Sequence, residues 1–253
     1  MFAKSKDKKP EKKKESLSES ISGIAAVFVS GLFIIAFIVQ AFEIPSGSME
    51  DTLQVGDHIF VDRLTPAPPA KYAGPLMPYR DIKRGEIIVF LHPKEPGMYL
   101  VKRVIGIPGD RIHLVNGVVY RNGQPLNEPY LHSLDRPPND YRDNFPAGPP
   151  TSDVKSEWPM VMRMHMENGD LVVPPNSYFG MGDHRTVSLD SRYWGFIPRE
   201  NIVGRPLFIY WSFVTPEDQY EHKSMADRAG FFVHVIIHFF DQTRWNRMFH
   251  LVH

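Results

Sequence analysis

The stretch YLVKRVIGIPGDRIHLVNGVVY, residues 99–120, decides the fold class of this chain. It is rich in Val, Ile and Tyr, which favour strands, and a Pro-Gly-Asp turn at 108–110 divides it into two runs. Asn116 and Gly117 separate RIHLV from VVY and form a two-residue hairpin signal. The stretch therefore predicts consecutive β-strands, at 99–107 and within 111–120, joined by tight turns.

Runs of the same composition lie on both sides of this stretch. Four of them are predicted to be strands, at 58–64, 86–92, 170–174 and 206–213. Residues 65–80 and 133–150 are Pro-rich and are predicted to be loops. The block 121–169 is less regular and is predicted to be a variable insertion, within which alternating methionines at 160, 162, 164 and 166 favour one face of a strand. The body is therefore predicted to be mainly β.

Upstream of the body, the segment ISGIAAVFVSGLFIIAFIVQAF, residues 21–42, carries no formal charge. As a helix rising ~1.5 Å per residue it would span roughly 33 Å, about the hydrocarbon thickness of a bilayer. It also exceeds the ~7–15 residues of a signal-peptide core. Residues 1–20 carry seven lysines against four acids, which is typical of a cytoplasmic tail. We therefore expect a single-pass protein of the cell (inner or plasma) membrane, with a cytoplasmic tail at 1–20, a transmembrane anchor at 21–42 and an extracytoplasmic domain at 43–223.

The C-terminal segment 224–253 differs from the body and is predicted to be an amphipathic helix. Its apolar run AGFFVHVIIHFF, residues 229–240, is too short to span a bilayer. Arg244, Trp245 and Arg247 follow it, an arrangement that suits a helix at the membrane interface. A helix docked on the body fits the sequence equally well, and both alternatives stay open.

Charge and composition exclude several classes of protein. Lys and Arg number 29, as do Asp and Glu, so the sequence predicts no nucleic-acid partner. The chain has no cysteine, which excludes a disulfide, a thiol nucleophile and a Cys-ligated metal. His234 and His238 have the i,i+4 spacing of metal ligands but lack a third ligand nearby in sequence. We therefore predict no metal, no cofactor and no obligate oligomer.

The search for chemistry begins at Ser46 and Ser48, which flank a glycine just after the apolar segment. A serine acts as a nucleophile only when a base removes its proton. The eleven histidines show no triad order with Asp and Ser. Lys102 lies inside an apolar strand, where burial would lower its pKa, and a neutral amine can deprotonate a serine. Strand alternation predicts that Lys102 or its neighbour Arg103 faces inward, without deciding which.

Four segments together resemble the motifs of bacterial type I signal peptidases, also called leader peptidases. They are PSGSMEDTL at 45–53, GEIIVF at 85–90, KRVIGIPGD at 102–110 and MGDHRTVSLDSRYWG at 181–195, in the family's order and spacing. The resemblance implies a fold of antiparallel β-sheets with an inserted second region, preceded by one N-terminal transmembrane helix. It also implies a membrane-bound serine endopeptidase that removes signal peptides from exported preproteins.

The resemblance further implies roles for individual residues. Ser48 would be the nucleophile, and Lys102 the general base that later activates the deacylating water. Ser46 would lend its hydroxyl to the oxyanion hole, and Ser188 would hydrogen-bond the amine of Lys102. Supporting charges around the site would be Asp183, Asp190, Arg192 and Arg103. The shallow pockets for small residues at positions −1 and −3 of the signal peptide would be formed by Ile44, Pro45, Met49, Leu53, Leu100 and Val101.

The departures from the family's motifs leave every proposed catalytic group in place. Asp51 stands where proline is frequent and His184 where asparagine is usual, and Thr186 and Val187 also depart. The expected partners are exported preproteins and the lipid bilayer. Two other interpretations stay open: a Ser–Lys protease devoted to a conjugation or pilus protein, and a non-catalytic, membrane-anchored β-domain.

Overall fold

The computed structural model describes residues 17–66, 79–132, 137–216, 219 and 224–253. Most of the predicted basic tail at 1–20 and most of the Pro-rich loop at 65–80 lie outside these ranges, as do residues 133–136 of the predicted insertion. The four motifs on which the resemblance rests lie inside them.

The described residues form two antiparallel β-sheets. In chain order the strands are β1 Val39–Glu43, β2 Asp57–Asp62, β3 Ile87–Leu91, β4 Tyr99–Gly106, β5 Arg111–Val115, β6 Val118–Arg121, β7 Gln124–Pro125, β8 Met166–Glu167, β9 Asp170–Val172, β10 Ser177–Met181, β11 Ile197–Pro198 and β12 Ile202–Ser212. The larger sheet has the order β1-β2-β12-β3-β4-β10-β11, and the smaller one has the order β7-β6-β5-β9-β8. The prediction of a mainly β body is confirmed.

The stretch at 99–120 links the two sheets. β4 lies between β3 and β10 in the larger sheet, and the 108–110 turn then carries the chain into β5 of the smaller one. Asn116 and Gly117 both have positive φ, 48° and 81°, as a type I′ hairpin turn requires. The hairpin predicted from these two residues is therefore present, with Val115 paired to Val118.

The α-helices lie outside the sheets. They are α1 Leu17–Phe33, α2 Asp140–Asp143, α3 Trp158–Met164, α4 Ser191–Trp194 and α5 Met225–Ile237. α3 replaces the strand that the alternating methionines predicted, which was wrong. A proline in its first turn favours a helix start, and Met162 is buried while Met160 and Met164 are exposed.

Two clusters of buried apolar side chains stabilise the body. The smaller cluster lies beneath the segment that carries Ser48, and its members are Ile44, Met49, Leu53, Ile59, Val61, Ile87, Val89 and Ile209. The larger cluster includes Tyr141, Phe145, Trp158 and Met162, all from the predicted insertion at 121–169. Because aromatic side chains bury a large area each, the insertion contributes substantially to the core.

The apolar segment at 21–42 is not one continuous helix. α1 ends at Phe33, a π-helical turn covers Ile34–Ile38, and β1 follows, paired with β2. The predicted helical anchor is therefore wrong for residues 39–42, whose backbone groups bond to a neighbouring strand and whose Phe42 packs on the smaller core. Among the described residues, no helix combines the length and the apolar character needed to cross a membrane.

A helix is predicted for the segment 224–253, and in the structure the helix α5 covers only part of it. α5 begins after Ser224, whose side chain caps it by accepting from the backbone N–H of Asp227. The last residues run beside β12, where Phe249 N–H donates to Ile209 O and Ile209 N–H donates to His250 O. β3 pairs only with the first residues of β12, so the rest of that edge needs backbone partners, and the C-terminal residues supply them.

Candidate active site

The segment that carries Ser48 lies between β1 and β2. Ser46 is extended, and Gly47–Met49 form one 3₁₀ turn, closed by the N–H of Glu50 donating to Gly47 O at 3.1 Å. Met49 and Leu53 are 1% and 0% exposed and anchor this turn in the smaller core. Because the turn is held from below by two buried side chains, the Ser48 hydroxyl has a defined position above it.

Lys102 of β4 reaches this hydroxyl. Its Nζ lies 2.6 Å from Oγ of Ser48, and the side chain is 2% exposed. Arg103, the next residue, is also buried, so both candidates for the inward position are enclosed. Successive side chains point to opposite faces of a strand, and each face of β4 is covered here. Lys102 therefore faces the nucleophile, whereas Arg103 faces a buried carboxylate on the other side.

Burial lowers the pKa of Lys102 from its ordinary value to about 8, because the ammonium form loses its hydration. Asp190 and Asp183 act in the opposite direction by attracting the ammonium, and Arg192 adds to the lowering. Both carboxylates are paired with arginines, which weakens their field at Lys102. A substantial fraction of Lys102 is therefore neutral at mildly alkaline pH and can accept the proton of Ser48.

Asp183 connects the Ser48 segment to β4. Its fully buried carboxylate accepts from Nε and Nη2 of Arg103 at 2.8 and 2.7 Å, and from Oγ1 of Thr52 at 2.6 Å. The ring of Tyr130 lies 3.8 Å from the Arg103 guanidinium carbon. A bidentate, charge-assisted pair of this kind fixes geometry as well as neutralising charge. Asp183 and Arg103 therefore hold the two catalytic segments in register.

Asp190 and Arg192 form a second buried ion pair. Nε and Nη2 of Arg192 donate to the two Asp190 oxygens at 2.9 and 2.8 Å, and the Gly182 N–H donates to the same carboxylate at 3.1 Å. Burial pushes the pKa of Asp190 up, but the charge and hydrogen bonds of Arg192 bring it below its ordinary value. The loop at 182–190 is thereby fixed, and its His184 N–H donates to Ser48 O at 3.2 Å.

The two supporting serines differ in what they contact. Oγ of Ser46 lies 3.5 Å from Oγ of Ser48. Oγ of Ser188 is buried and has no hydrogen-bond partner within the described residues. The expected bond between Ser188 and Lys102 is therefore wrong for this structure.

Ser188 instead packs on the backbone of Gly182. A Cβ added at Gly182 would lie 2.3 Å from Oγ of Ser188 and 2.4 Å from the carbonyl oxygen of Ser48. These are distances that real Cβ atoms do not adopt, so glycine is the residue that fits. The contact places Ser188, Gly182 and the nucleophile in one tightly packed layer.

An open cleft of about 660 Å³ passes over Ser48 and Lys102. Apolar side chains on its walls are Met98, Leu100, Val187, Leu189 and Trp194. An open, partly apolar groove next to a nucleophile can take an extended peptide. The cleft therefore gives a polypeptide access to the Ser48 hydroxyl.

Only one of the six residues expected to form substrate pockets, Leu100, lines this cleft. Ile44, Met49 and Leu53 are at most 3% exposed and belong to the smaller core, and Val101 packs against that core. Pro45 is exposed beside Ser46. The expectation that Ile44, Met49 and Leu53 offer surface to a peptide is therefore wrong for this structure, because anchoring the Ser48 turn buries them.

The sequence assigns no function to some residues of the site. Thr52 belongs to the first motif but has no role in the sequence-based prediction. Tyr130 belongs to the irregular insertion, where no local pattern indicates an aromatic contact with Arg103. His92 lines the cleft with its pKa lowered by burial, and its Nδ1 accepts from the backbone N–H groups of residues 94 and 95. The sequence could have drawn attention to His92 only through its position at the end of a predicted strand.

A second group of side chains lies at the edge of the cleft. Glu50, His132 and His184 place potential metal-ligand atoms within 4.8 Å of one another. Burial lowers the pKa of His184, and the neighbouring His132 acts in the same direction, so the imidazole is neutral at neutral pH. These residues take no part in the contact between Ser48 and Lys102.

A serine hydroxyl in contact with a buried lysine of lowered pKa, in an open cleft on an antiparallel β scaffold, defines a serine hydrolase that uses an amine as its base. The sequence profile of the family described as "Signal peptidase, peptidase S26" matches residues 17–211. The chain belongs to this family and is a serine peptidase.

Individual relatives agree with the family assignment. The chain is 32% identical over 210 residues to the "Probable signal peptidase I-2" of Synechocystis sp., covering 79% of this chain and 78% of the relative. It is 34% identical over 203 residues to the signal peptidase I of Leptolyngbya laminosa, with 77% and 80% covered. It is 33% identical over 229 residues to that of Pseudomonas fluorescens, with 80% and 76% covered.

Proposed function

We propose that this chain is a signal peptidase I that cleaves signal peptides from exported preproteins with Ser48 as nucleophile and Lys102 as general base. The observation that carries the proposal is the 2.6 Å contact between Nζ of Lys102 and Oγ of Ser48 in an open cleft. Family membership supports the reaction class, and the three relatives described above are each named signal peptidase I or probable signal peptidase I.

In the acylation step neutral Lys102 takes the proton of Ser48 as Oγ attacks the scissile carbonyl carbon. The carbonyl oxygen becomes an oxyanion, and the backbone N–H of Ser48 and the hydroxyl of Ser46 donate to it. Each preorganised donor of this kind stabilises the transition state by about 3 kcal/mol. The Lys102 ammonium then gives its proton to the leaving amine, which departs as the N-terminus of the mature protein and leaves the signal peptide esterified to Ser48.

In the deacylation step Lys102 acts as a base a second time. It takes a proton from a water molecule, whose oxygen attacks the ester carbon, and the proton then passes to Oγ of Ser48 as the signal peptide leaves. Asp183, Arg103, Asp190 and Arg192 contact neither substrate nor water in this scheme. They are positioning residues, because their buried ion pairs hold β4 and the 182–190 loop against the Ser48 segment.

We propose that the cleft selects small residues at positions −1 and −3 of the signal peptide. Leu100 and Val187 are on its walls, and the Ser48 turn and the loop at 182–190 lie against each other, as the His184–Ser48 backbone bond indicates. This close approach supports a shallow subsite beside the nucleophile, in which a large side chain would clash.

We also propose that the chain is held in a membrane with its active site on the extracytoplasmic side. Apolar side chains are exposed along α1, including Ile24 at 71% and Val27 at 75%. A second exposed apolar surface lies on α5 and beyond it, with Phe232 at 65% and Phe240 at 80%. Large apolar side chains exposed in number on two helices are a feature of membrane contacts rather than of free aqueous surfaces.

The connection between α1 and the body supports the same arrangement. The π-helical turn Ile34–Ile38 leads directly into β1, and Ser48 follows within a few residues. Ten extended residues span at most about 35 Å, so the nucleophile stays close to the end of the anchor. A membrane-held substrate would then meet the enzyme at a high effective concentration.

The experiment that tests this function uses the full chain in detergent and a preprotein whose signal ends in Ala-x-Ala. We expect one cut after the second alanine, located by mass spectrometry, and loss of cleavage when that alanine is replaced by leucine. Cleavage of the leucine substrate at an equal rate would contradict the proposed specificity. Cleavage of one exported protein out of a diverse set would favour a protease with a dedicated substrate.

A further inference from the structure

Two histidines and a glutamate meet at the edge of the active-site cleft. Glu50, His132 and His184 each offer a ligand atom, and these atoms lie within 4.8 Å of one another. The rings of the two histidines are 4.4 Å apart, edge to face. None of the three is a residue to which the proposed mechanism gives a step. The group therefore needs an explanation of its own.

His132 is oriented by a carboxylate. Its Nδ1 lies 2.8 Å from Oδ2 of Asp51, and the carboxylate can only accept, so Nδ1 donates. The other ring nitrogen, Nε2, then carries the free lone pair of the neutral ring. A carboxylate that fixes the tautomer of a histidine in this way is the usual outer partner of a metal-bound imidazole.

The ring of His184, on the other side of the group, has the same tautomer, with Nδ1 as the donor. Its Nδ1 lies 3.3 Å from the carbonyl oxygen of Gly47 and 3.5 Å from Oε2 of Glu50, and since both oxygens can only accept, Nδ1 donates. Its Nε2 is buried and has no hydrogen-bond partner within the described residues, although the side chain is only 2% exposed. A buried, unpartnered ring nitrogen with a free lone pair costs free energy unless a ligand occupies it.

The backbone keeps the three side chains together. His132 N–H donates to Asp183 O at 3.0 Å, and His184 N–H donates to Ser48 O at 3.2 Å. These bonds connect the insertion, the 182–190 loop and the Ser48 segment at one point. The arrangement therefore follows from the fold and does not depend on flexible surface side chains alone.

We propose that Glu50, His132 and His184 form a binding site for a divalent transition metal, with Zn²⁺ as the natural occupant of such a ligand set. Imidazole nitrogen suits zinc, whereas magnesium and calcium prefer an all-oxygen set. In such a site each ligand atom would lie about 2.0–2.1 Å from the metal. A water molecule would complete a tetrahedron. This proposal departs from the expectation, drawn from the sequence, that the chain holds no metal.

The site has a structural consequence for the cleft. Glu50 and His184 both line it, and Glu50 lies two residues after the nucleophile. A metal bound there would tie the Ser48 segment to the insertion and to the 182–190 loop with one ion. It would therefore stiffen the segment that carries the nucleophile.

The test measures zinc binding to the untagged full chain in detergent, after removal of metal with a chelator. In competition with a chromophoric zinc indicator, we expect one equivalent bound per chain. His132→Ala and Asp51→Asn are each expected to weaken the affinity for zinc at least tenfold. His132→Ala removes a ligand, and Asp51→Asn removes the carboxylate that fixes the tautomer of His132. Magnesium at the same concentration should not displace the zinc.

The matched control is His113→Ala. His113 also pairs with a carboxylate, Asp170 at 2.5 Å, but it lies on the smaller sheet away from the group. It should bind zinc as the unchanged chain does. Zinc should also raise the midpoint of thermal unfolding in the unchanged chain and in the control, and not in His132→Ala. The proposal would be overturned if the unchanged chain took no zinc from the indicator, or if His132→Ala bound zinc as tightly as the unchanged chain.

Discussion

The lowered pKa of Lys102 makes a quantitative prediction for the pH dependence of cleavage. With a pKa of about 8, roughly one-tenth of Lys102 is neutral at pH 7 and roughly nine-tenths at pH 9. Only the neutral amine can accept the proton of Ser48. We therefore expect kcat/KM to rise about tenfold between these pH values and to reach a plateau above pH 9. An exposed lysine of ordinary pKa would instead give a rise of about a hundredfold without a plateau.

The assay is initial-rate cleavage of a preprotein by the full chain in detergent, between pH 6 and pH 10. Lys102→Arg should be inactive at every pH, since a guanidinium does not lose its proton in this range. Lys94→Arg makes the same substitution at an exposed lysine paired with Glu157, and should keep the profile of the unchanged chain. A pH-independent rate, a hundredfold rise still continuing at pH 10, or activity in Lys102→Arg would refute the reasoning.

Further substitutions test the neighbouring contacts. Ser46→Ala should lower kcat roughly 10²–10³-fold with little change in KM, because Ser46 acts on the oxyanion; steady-state kinetics showing the reverse would make it a binding residue. Gly182→Ala should lower kcat/KM about a hundredfold, because its Cβ would lie 2.4 Å from Ser48 O, whereas Gly230→Ala, which has open space, should match the unchanged chain in the same assay. Lys102→Met should be inactive, but its free energy of unfolding at pH 7 should be up to about 3 kcal/mol higher, because at this pH the folded unchanged chain holds a protonated lysine in a buried position. Between pH 8 and 10.5 Lys102 is protonated in the unfolded chain and neutral in the folded one, so the free energy of unfolding of the unchanged chain rises with pH. Denaturant melts should therefore show that the stability difference between Lys102→Met and the unchanged chain becomes smaller across this range. A difference that stays constant with pH would contradict the lowered pKa of Lys102.

The parts of the fold that follow local rules were predictable from the sequence. The hairpin at Asn116 and Gly117 needs two positive φ values, and this pair of residues supplies them. β3 and β4 were marked by β-branched and aromatic residues, and both strands lie where they were predicted. The resemblance predicts that Ser48 and Lys102 act together, and the two side chains are in contact.

The parts that depend on distant contacts were not predictable. Residues 39–42 continue an apolar run that reads as helix, and only the unpaired edge of β2 makes them a strand. The C-terminal residues likewise pair with β12, an edge that no sequence pattern reveals. The methionines at 160, 162, 164 and 166 alternate as in a strand, but a proline at the helix start and the burial of Met162 favour α3. In the first two cases tertiary pairing outweighed the local pattern, and in the third the local proline signal outweighed the alternation of methionines.

The site shows the same division. Residue types and order identified Ser46, Ser48 and Lys102, whereas burial decided what their neighbours do. The resemblance implies a contact between Ser188 and Lys102, whereas in the structure Ser188 packs on Gly182. Three apolar residues expected in substrate pockets lie in the smaller core, because the Ser48 turn needs anchors. Which face of a short turn is buried cannot be predicted from the sequence pattern alone.

The most direct test of the account is cleavage of one purified preprotein by three forms of the chain: unchanged, Ser48→Ala and Lys102→Ala. All three are compared in detergent at pH 9, with mass spectrometry to locate the cut and circular dichroism to confirm that each form is folded. The account predicts a single cut at the signal-peptide junction by the unchanged chain and none by either variant. Cleavage at that junction by a folded Ser48→Ala or Lys102→Ala form would contradict the assignment of these two residues as nucleophile and base.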